Sequence, residues 1–198
     1  MPAERDIAAF EQRAARYEQG WLGRLHHEIA DRVAAVALST EPAPSRILDV
    51  GCGTGYLLRA LADRCPDALQ FAGIDAASAM VDVARASTRD ERIAIELGAA
   101  EQLPYADAAF DLVLSVTSFD HWPDQAAGIA ECARVLAPGG YLVLADLFSP
   151  WLTPTLLAGR RGKARTKRRA NRLLAAAGLR AISWQSVYPL IKVVTTTK

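Results

Sequence analysis

Cysteines are scarce in the sequence, and none of its apolar runs is long. The three cysteines, Cys52, Cys65 and Cys132, form no CxxC pair and are odd in number. This pattern favours reduced thiols in a cytoplasmic protein over a disulfide framework. The most apolar stretches, 112–116 and 141–145, are strand-length and fall far short of the roughly 20 residues of a membrane-spanning helix. The first ten residues, MPAERDIAAF, contain no apolar core, so we expect no signal peptide.

Acidic residues are absent from the C-terminal part of the chain. The 198 residues include 23 Lys+Arg and 22 Asp+Glu, and no acidic residue follows Asp146. A basic segment of this kind is typical either of a tail packed on an acidic body or of contact with nucleic acid, a membrane or an acidic substrate. Its densest part, residues 160–172, has no aromatic side chain that could stack on bases. We therefore favour a solvated helix face or a lip over the acidic body, and keep an anionic acceptor and nucleic acid as alternatives.

The N-terminal part is predicted to be helical. Apolar residues recur at a spacing of three to four in two stripes over residues 7–36, which places each stripe on one helix face. Gly20 and Gly23 stand between the stripes and predict a break or hinge. A linker with two prolines follows. We expect residues 1–45 to form a helical cap ahead of a larger domain, residues 46–198.

The rest of the chain alternates between short apolar strands and helices. The predicted strands are 47–50, 70–75, 92–97, 110–116 and 141–148, and the predicted helices are one that ends at Arg64, 79–87 and 123–136. Pro123 is expected in the first turn of its helix. Short strands joined through helices predict right-handed βαβ units and a parallel sheet. After a helix over 160–177, the strands 179–187 and 190–197 are too closely joined for a crossover, so they must be antiparallel.

The most informative segment is a glycine loop that follows the first of these strands. Residues 47–55 read Ile-Leu-Asp-Val-Gly-Cys-Gly-Thr-Gly, so that Gly51, Gly53 and Gly55 are spaced as GxGxG. Because glycine has no Cβ, such a loop lets a ligand approach the backbone N–H groups closely. A dinucleotide fingerprint is spaced GxGxxG instead. The spacing disfavours a nicotinamide-binding oxidoreductase, which stays an alternative.

Together with later segments, this loop resembles motif I of the class I S-adenosylmethionine (SAM)-dependent methyltransferases, and within them the small-molecule group called methyltransferase type 11. The further matching segments are AGIDAASAM (72–80), GAAEQLPY (98–105), DAAFDLV (107–113), ARVLAPGG (133–140) and, near the N-terminus, FEQRAARYE (10–18). The resemblance extends from about residue 10 to the end, because the predicted terminal hairpin is similar to the family's last two strands.

The resemblance implies a fold and an activity. The fold is a Rossmann-like three-layer α/β sandwich with a mostly parallel seven-stranded sheet in the order 3-2-1-4-5-7-6, an antiparallel last hairpin and a helical N-terminal cover. The activity is methyl transfer from SAM to a small-molecule acceptor, with an O, N, C or S nucleophile left open. A nucleic-acid methyltransferase or a basic nucleic-acid-binding adaptor stays an alternative. It is disfavoured because the chain has neither the Asn/Asp-Pro-Pro-Tyr/Phe segment of base-amine methyltransferases nor a Pro-Cys after the fourth strand.

A set of cofactor-binding residues is also implied by the resemblance. Asp75, at the end of the second strand, is expected to accept hydrogen bonds from both ribose hydroxyls, and Met80 to pack near adenine. Asp49 is expected to fix the loop or to meet the cofactor's amino group. Tyr17 either reaches the methionyl end or is an ordinary core aromatic, and Cys52 is a small filler in the loop. The full set is Tyr17, Asp49, Gly51, Cys52, Gly53, Gly55, Asp75, Ala76, Met80, Ala100, Glu101 and Ser115.

His121 is the candidate catalytic residue. It follows the fourth strand, at the carboxyl edge where open α/β sheets bind ligands, and could take a proton from the acceptor or donate to a loop carbonyl. No metal site is expected, because His26, His27 and His121 show no HxxxH or HxxEH spacing.

The acceptor pocket is expected between the N-terminal helices, residues 117–124 and residues 148–160. Its candidate walls are Trp21, Trp122 and Trp151.

Overall fold

The computed structural model describes residues 2–148 and 166–198. Its helices are α1 (Pro2–Arg13), α2 (Gly20–Thr40), α3 (Tyr56–Arg64), α4 (Ser78–Ser87), α5 (Gln125–Val135) and α6 (Lys167–Ala176). Its strands are β1 (Arg46–Val50), β2 (Gln70–Asp75), β3 (Ile93–Leu97), β4 (Phe110–Val116), β5 (Leu136–Leu147), β6 (Arg180–Ser186) and β7 (Ile191–Thr197). Residues 160–165 of the predicted basic helix, and Trp151, lie outside the described residues.

The seven strands form one sheet in the order β3-β2-β1-β4-β5-β7-β6. The first five strands in that order pair in parallel, whereas β7 pairs antiparallel with both β5 and β6. The order and the antiparallel terminal hairpin confirm the predicted sheet.

Each face of the sheet is covered by helices, which makes three layers. Because successive strand residues point to opposite faces, Ile47 packs with α2, α3 and α4, and its neighbour Leu48 packs with α5 and α6. Both side chains are fully buried. The central parallel strands β1, β2 and β4 are therefore mostly apolar, as parallel strands covered on both sides are. None of the helices in the described ranges is long and apolar enough to cross a membrane.

The boundary predicted for α5 is wrong by two residues. Pro123 stands outside the helix, which begins at Gln125. Asp124 is the N-cap, because its carboxylate accepts hydrogen bonds from the amides of Ala126 and Ala127 at 3.0 and 3.1 Å. At the other end, β5 already begins at Leu136, with a register shift against β4 where the Pro-Gly-Gly turn was expected.

The N-terminal helices are broken as predicted, but the break ends at Gly20 and Gly23 lies inside α2. A short 3-10 turn (Ala14–Arg16) separates α1 from α2, and Gly20 has a positive φ of 70° at the start of α2. Gly23 lies against the backbone of Glu18, where a Cβ would clash. A glycine at this position lets α2 fold back closely on the chain that enters it.

Candidate functional site

Two adjoining cavities lie at the carboxyl ends of β1, β2 and β4. Both cavities are open to solvent; the space between their lining atoms, open solvent included, is about 660 Å³ in the first and about 470 Å³ in the second. They share the lining residues Tyr17, Gly51, Gly53, Val116 and Thr117. Open α/β sheets bind ligands at this edge, where the strand order reverses on either side of β1.

The glycine loop between β1 and α3 forms the floor shared by both cavities. Gly51, Gly53 and Gly55 all have positive φ angles, of 80°, 53° and 77°. The loop is held to β2 because the amides of Gly51 and Cys52 both donate to the Ile74 carbonyl, at 2.8 and 3.0 Å. A Cβ on Gly53 would meet nothing within 4 Å, so this side of the loop faces open space. A ligand can therefore approach the Gly53 backbone.

Asp75, at the end of β2, lines the first cavity beside the loop. Its Oδ2 accepts from the Gly53 amide at 2.8 Å and its Oδ1 from the Ala77 amide at 2.9 Å. Burial raises the pKa of Asp75, although these backbone hydrogen bonds lower it in part. A carboxylate oxygen has more than one acceptor direction. The two backbone amides therefore orient Asp75 and leave it able to accept from a diol.

Asp49, on β1, lines the second cavity and is 2% exposed. Its Oδ1 is buried and has no hydrogen-bond partner. Burial, reinforced by the nearby charge of Asp75, raises the pKa of Asp49 to about 8. A buried carboxylate of this kind is stabilised by a cation in the cavity beside it.

The N-terminal segment covers the loop from the outside. Glu11, on α1, accepts from the amides of Ser78 and Ala79 at 2.6 and 2.9 Å, so it caps α4. Glu18 accepts from the Thr54 hydroxyl at 2.6 Å and from Arg59 Nη2 at 2.9 Å. These two carboxylates hold the segment between α1 and α2 over the cavities.

A row of rings crosses the cavities under this segment. Phe10 packs edge-on against His121 at a centroid distance of 5.0 Å and against Tyr17 at 6.3 Å. Tyr17 stacks on His26 at 4.9 Å. Burial raises the pKa of Tyr17 to about 12, so its phenol is neutral. The row gives both cavities an aromatic wall.

The residues after β4 close the first cavity. Thr117 has a positive φ of 53°, which is unusual for a β-branched residue and is typical of functional turns. Ser118 donates its hydroxyl to the Val50 carbonyl at 2.9 Å. His121 and Trp122 line the cavity, whereas Trp21 is 69% exposed and lines neither cavity. Trp21 is therefore wrong as a pocket wall.

The structure brings most of the predicted cofactor residues to these cavities. The first cavity is lined by Tyr17, Gly51, Gly53, Asp75, Ala76, Met80, Ala100 and Glu101, and the second by Tyr17, Asp49, Gly51, Cys52 and Gly53. Two predicted residues line neither. Gly55 precedes α3 in the left-handed conformation, and Ser115 is fully buried with its hydroxyl 2.9 Å from that of Ser118. Burial raises the pKa of the Cys52 thiol, in keeping with a filler.

Sequence reasoning missed His26, and it covered Thr117 and Ser118 only through the range 117–124 expected around the acceptor pocket. The position of Thr117 and Ser118 directly after β4 is the signal that places them there, because ligands bind at the carboxyl ends of strands. His26 had been considered only as a metal ligand. No sequence signal places it in the second cavity, since that depends on how α2 docks on the sheet.

The ionisable side chains that line the two cavities are mainly acidic. Asp49, Asp75 and Glu101 contribute acidic side chains, of which Asp49 ionises fully only when a cation lies beside it, and among the described residues no lysine or arginine lines either cavity. Within the same residues, no group of three or more His, Cys, Asp or Glu side chains could hold a metal ion. Such a lining suits a cationic ligand better than the pyrophosphate of a dinucleotide.

Residues 48–144 match a family described as a methyltransferase domain. A demethylmenaquinone methyltransferase of Deinococcus radiodurans is 40% identical over 121 residues, which are 60% of this chain and 50% of that protein. A malonyl-[acyl-carrier protein] O-methyltransferase of Hahella chejuensis is 35% identical over 148 residues, which are 75% of this chain and 50% of that protein. The chain spans about half the length of these curated relatives.

A solved structure shows the same fold. The methyltransferase in complex with the Haloferax volcanii Trm112 methyltransferase activator has a TM-score of 0.82 at 22% identity, over 95% of this chain and 96% of that chain. The sheet order, the GxGxG loop at its carboxyl edge and these matches lead to one assignment: the chain belongs to the class I SAM-dependent methyltransferases, in the methyltransferase type 11 group.

Proposed function

We propose that the protein transfers a methyl group from SAM to a small-molecule acceptor. The observation that carries this proposal is the acidic lining of two cavities that meet over a glycine loop. SAM has a sulfonium and an ammonium, and both cations are favoured beside carboxylates. A nicotinamide dinucleotide would bring two phosphates to the same carboxylates, so the oxidoreductase alternative is disfavoured.

The residues present fit this cofactor. Asp75 would accept from the ribose hydroxyls, and Met80 would pack on adenine in the first cavity. Asp49, whose Oδ1 has no protein partner, would accept from the amino group in the second cavity. Ala76, Ala100 and the other predicted loop residues would complete the contacts. When bound, SAM supplies a methyl group already activated by a sulfonium leaving group, so the main task of the protein is alignment, which can contribute about 7–11 kcal/mol.

The acceptor would bind where the aromatic row meets the residues after β4. His121 lines this part of the first cavity and would take a proton from an acceptor that is protonated at neutral pH. The relatives named for demethylmenaquinone and malonyl-[acyl-carrier protein] support a non-nucleic-acid acceptor. Residues 148–160, also expected around this pocket, lie outside the described residues except for Phe148.

Two further expectations belong to the proposal. Residues 1–45 would act as a cap on a methyltransferase domain of residues 46–198, with Glu11 and Glu18 as its attachments. The basic run would be a solvated helix face, since Arg168 and Arg172 on α6 are exposed. An anionic acceptor is the alternative for this run.

Calorimetric titration with SAM tests the proposal, using Asp75→Ala and the control Asp82→Ala on the exposed face of α4. Asp75→Ala removes an acceptor for two hydroxyls, each hydrogen bond to a charged group contributing about 1.5–3 kcal/mol. We expect an affinity loss of at least about tenfold, with Asp82→Ala unchanged. Equal affinity of both variants would refute the site, and a screen of acceptors with methyl-labelled SAM would then test the activity itself.

A further inference from the structure

Three residues that line the second cavity, Asp49, His26 and His27, each have a buried side-chain atom without a hydrogen-bond partner. Asp49 Oδ1 and His26 Nδ1 are both buried without a hydrogen-bond partner, and both residues line this cavity. An unsatisfied buried polar atom costs about 1–3 kcal/mol, and such atoms are uncommon in folded proteins. His27 Nε2 faces Glu18 Oε2 at 3.7 Å, whereas Asp49 Oδ1 and His26 Nδ1 indicate a ligand that supplies partners to both.

The two groups differ in the partner that they require. A buried carboxylate such as Asp49 accepts hydrogen bonds and favours a cation, whereas a neutral imidazole in the tautomer with its proton on Nδ1 donates there and pairs well with an anion. A ligand end that carries an ammonium and a carboxylate close together satisfies both. An α-amino acid has this arrangement.

Two hydroxyl groups around the cavity already have partners. The Thr54 hydroxyl donates to Glu18 at 2.6 Å, and the Tyr56 hydroxyl donates to Asp31 at 3.0 Å. His27 stacks on Tyr56, and its Nε2, which has no hydrogen-bond partner, lies 3.7 Å from the Glu18 carboxylate, a neighbour that would repel an anionic ligand. Because no described lysine or arginine lines the cavity, a carboxylate there would pair with a neutral donor such as His26.

The protein holds His26 in place before any ligand binds. Its ring stacks on Tyr17 with an interplanar angle of 26°. Burial, followed by the charges of Arg13 and His27, lowers the pKa of His26, so the imidazole is neutral and can donate from one nitrogen. A preorganised donor loses little freedom when the ligand arrives.

We propose that His26 binds the carboxylate of the cofactor's amino-acid end, opposite the ammonium bound by Asp49. This inference rests on the proposed function, since it names a contact to the same cofactor. It gives His26 a role in binding the cofactor and leaves proton transfer from the acceptor to other groups. The amino-acid end would then be fixed at two points, which sets where the sulfonium methyl lies.

Calorimetry with three ligands tests this contact in the full-length protein. The ligands are SAM, decarboxylated SAM, which lacks the carboxylate, and 5′-methylthioadenosine, which lacks the whole amino-acid end. The variants are His26→Leu, which removes the donor, and His26→Asn, whose amide nitrogen can take the place of Nδ1. Thermal unfolding of each variant checks that it folds.

We expect His26→Leu to weaken SAM binding at least about tenfold and to change binding of the other two ligands less than about twofold. His26→Asn should restore most of the lost affinity. An equal loss for SAM and its decarboxylated form, or no loss for either, would overturn the inference. A wild-type protein that binds none of the three ligands would instead refute the proposed function, so the two failures are distinguishable.

Discussion

Asp49 and Asp75 stand on neighbouring strands, yet the protein surrounds their carboxylates differently. Asp75 accepts from two backbone amides, which offset part of its desolvation. Asp49 is almost fully buried, and its Oδ1 has no partner. The backbone amides therefore orient the Asp75 carboxylate so that it can accept from hydroxyl groups. The Asp49 carboxyl group, which lacks such partners, is the one that a cationic ligand stabilises most.

The raised pKa of Asp49 predicts that the free energy of unfolding of the ligand-free protein depends on pH. Its pKa is about 8 when folded, against an ordinary 3.8. Between these values the folded state binds a proton that the unfolded state has lost, so stability falls as pH rises. Asp49→Asn removes this titrating group. We therefore expect the difference in melting temperature, variant minus wild type, to increase from pH 5 to pH 8.

Thermal unfolding of the two proteins across this range measures the difference, with Asp63→Asn on the exposed side of α3 as control. The same variant should bind SAM more weakly, because a neutral amide no longer favours the ammonium. Parallel melting profiles for Asp49→Asn and wild type would show that Asp49 is not held in its neutral form.

The segment between α1 and α2 is fastened to the cofactor loop through Glu18. Its Oε1 accepts from both Thr54 and Arg59, while Arg59 Nη1 donates to the Thr54 carbonyl at 2.6 Å. Thr54 lies within the glycine loop, so this contact couples the position of the segment to that of the loop. Tyr17, next to Glu18, lines both cavities.

Glu18→Ala should loosen this segment and weaken cofactor binding. About a third of the Glu18 side chain is exposed, so solvent screening reduces its contribution. We expect an affinity loss of about fivefold, or about 1 kcal/mol, and faster tryptic cleavage at Arg13 and Arg16. The control is Glu28→Ala, which breaks an exposed ion pair with Arg32 on α2. If both variants behave alike, the attachment has no role in binding.

Helices and strands could be predicted from the sequence where a local residue pattern determines them. They could not be predicted where their position depends on packing between distant segments. Apolar runs located β1, β2 and β4 because strands covered on both faces need continuous apolar residues. The start of α5 was misplaced because Pro123 is a good first-turn residue, but the Asp124 carboxylate caps the two amides that follow. His26 could not be placed in a cavity from periodicity alone. Its position depends on long-range packing of α2.

The charges of the whole molecule divide between an acidic ligand edge and a basic helix. The acids that line the cavities precede Asp146 in the sequence, and α6 has its basic residues on an exposed surface. Lys167 lies over the Trp184 ring at 5.0 Å, so one part of this helix packs against β6. Arg168 and Arg172, one turn apart, remain exposed.

Replacing Arg168 and Arg172 by Gln tests the function of this surface. Exposed charges contribute about 0–1 kcal/mol each to stability, so a solvated face predicts a melting temperature within a few degrees of wild type. It also predicts unchanged kcat and KM in methyl transfer at low and high salt. A salt-sensitive rise in KM with kcat unchanged would instead indicate an anionic acceptor that binds this helix.

A crystal structure of the protein with S-adenosylhomocysteine, the product form of the cofactor, would locate the ligand in the two cavities. We expect the ribose hydroxyls within hydrogen-bond distance of Asp75 and the adenine beside Met80. The amino group should lie at Asp49 and the carboxylate at His26. Density for the ligand outside these cavities, or with its amino-acid end directed away from Asp49, would contradict the site described above.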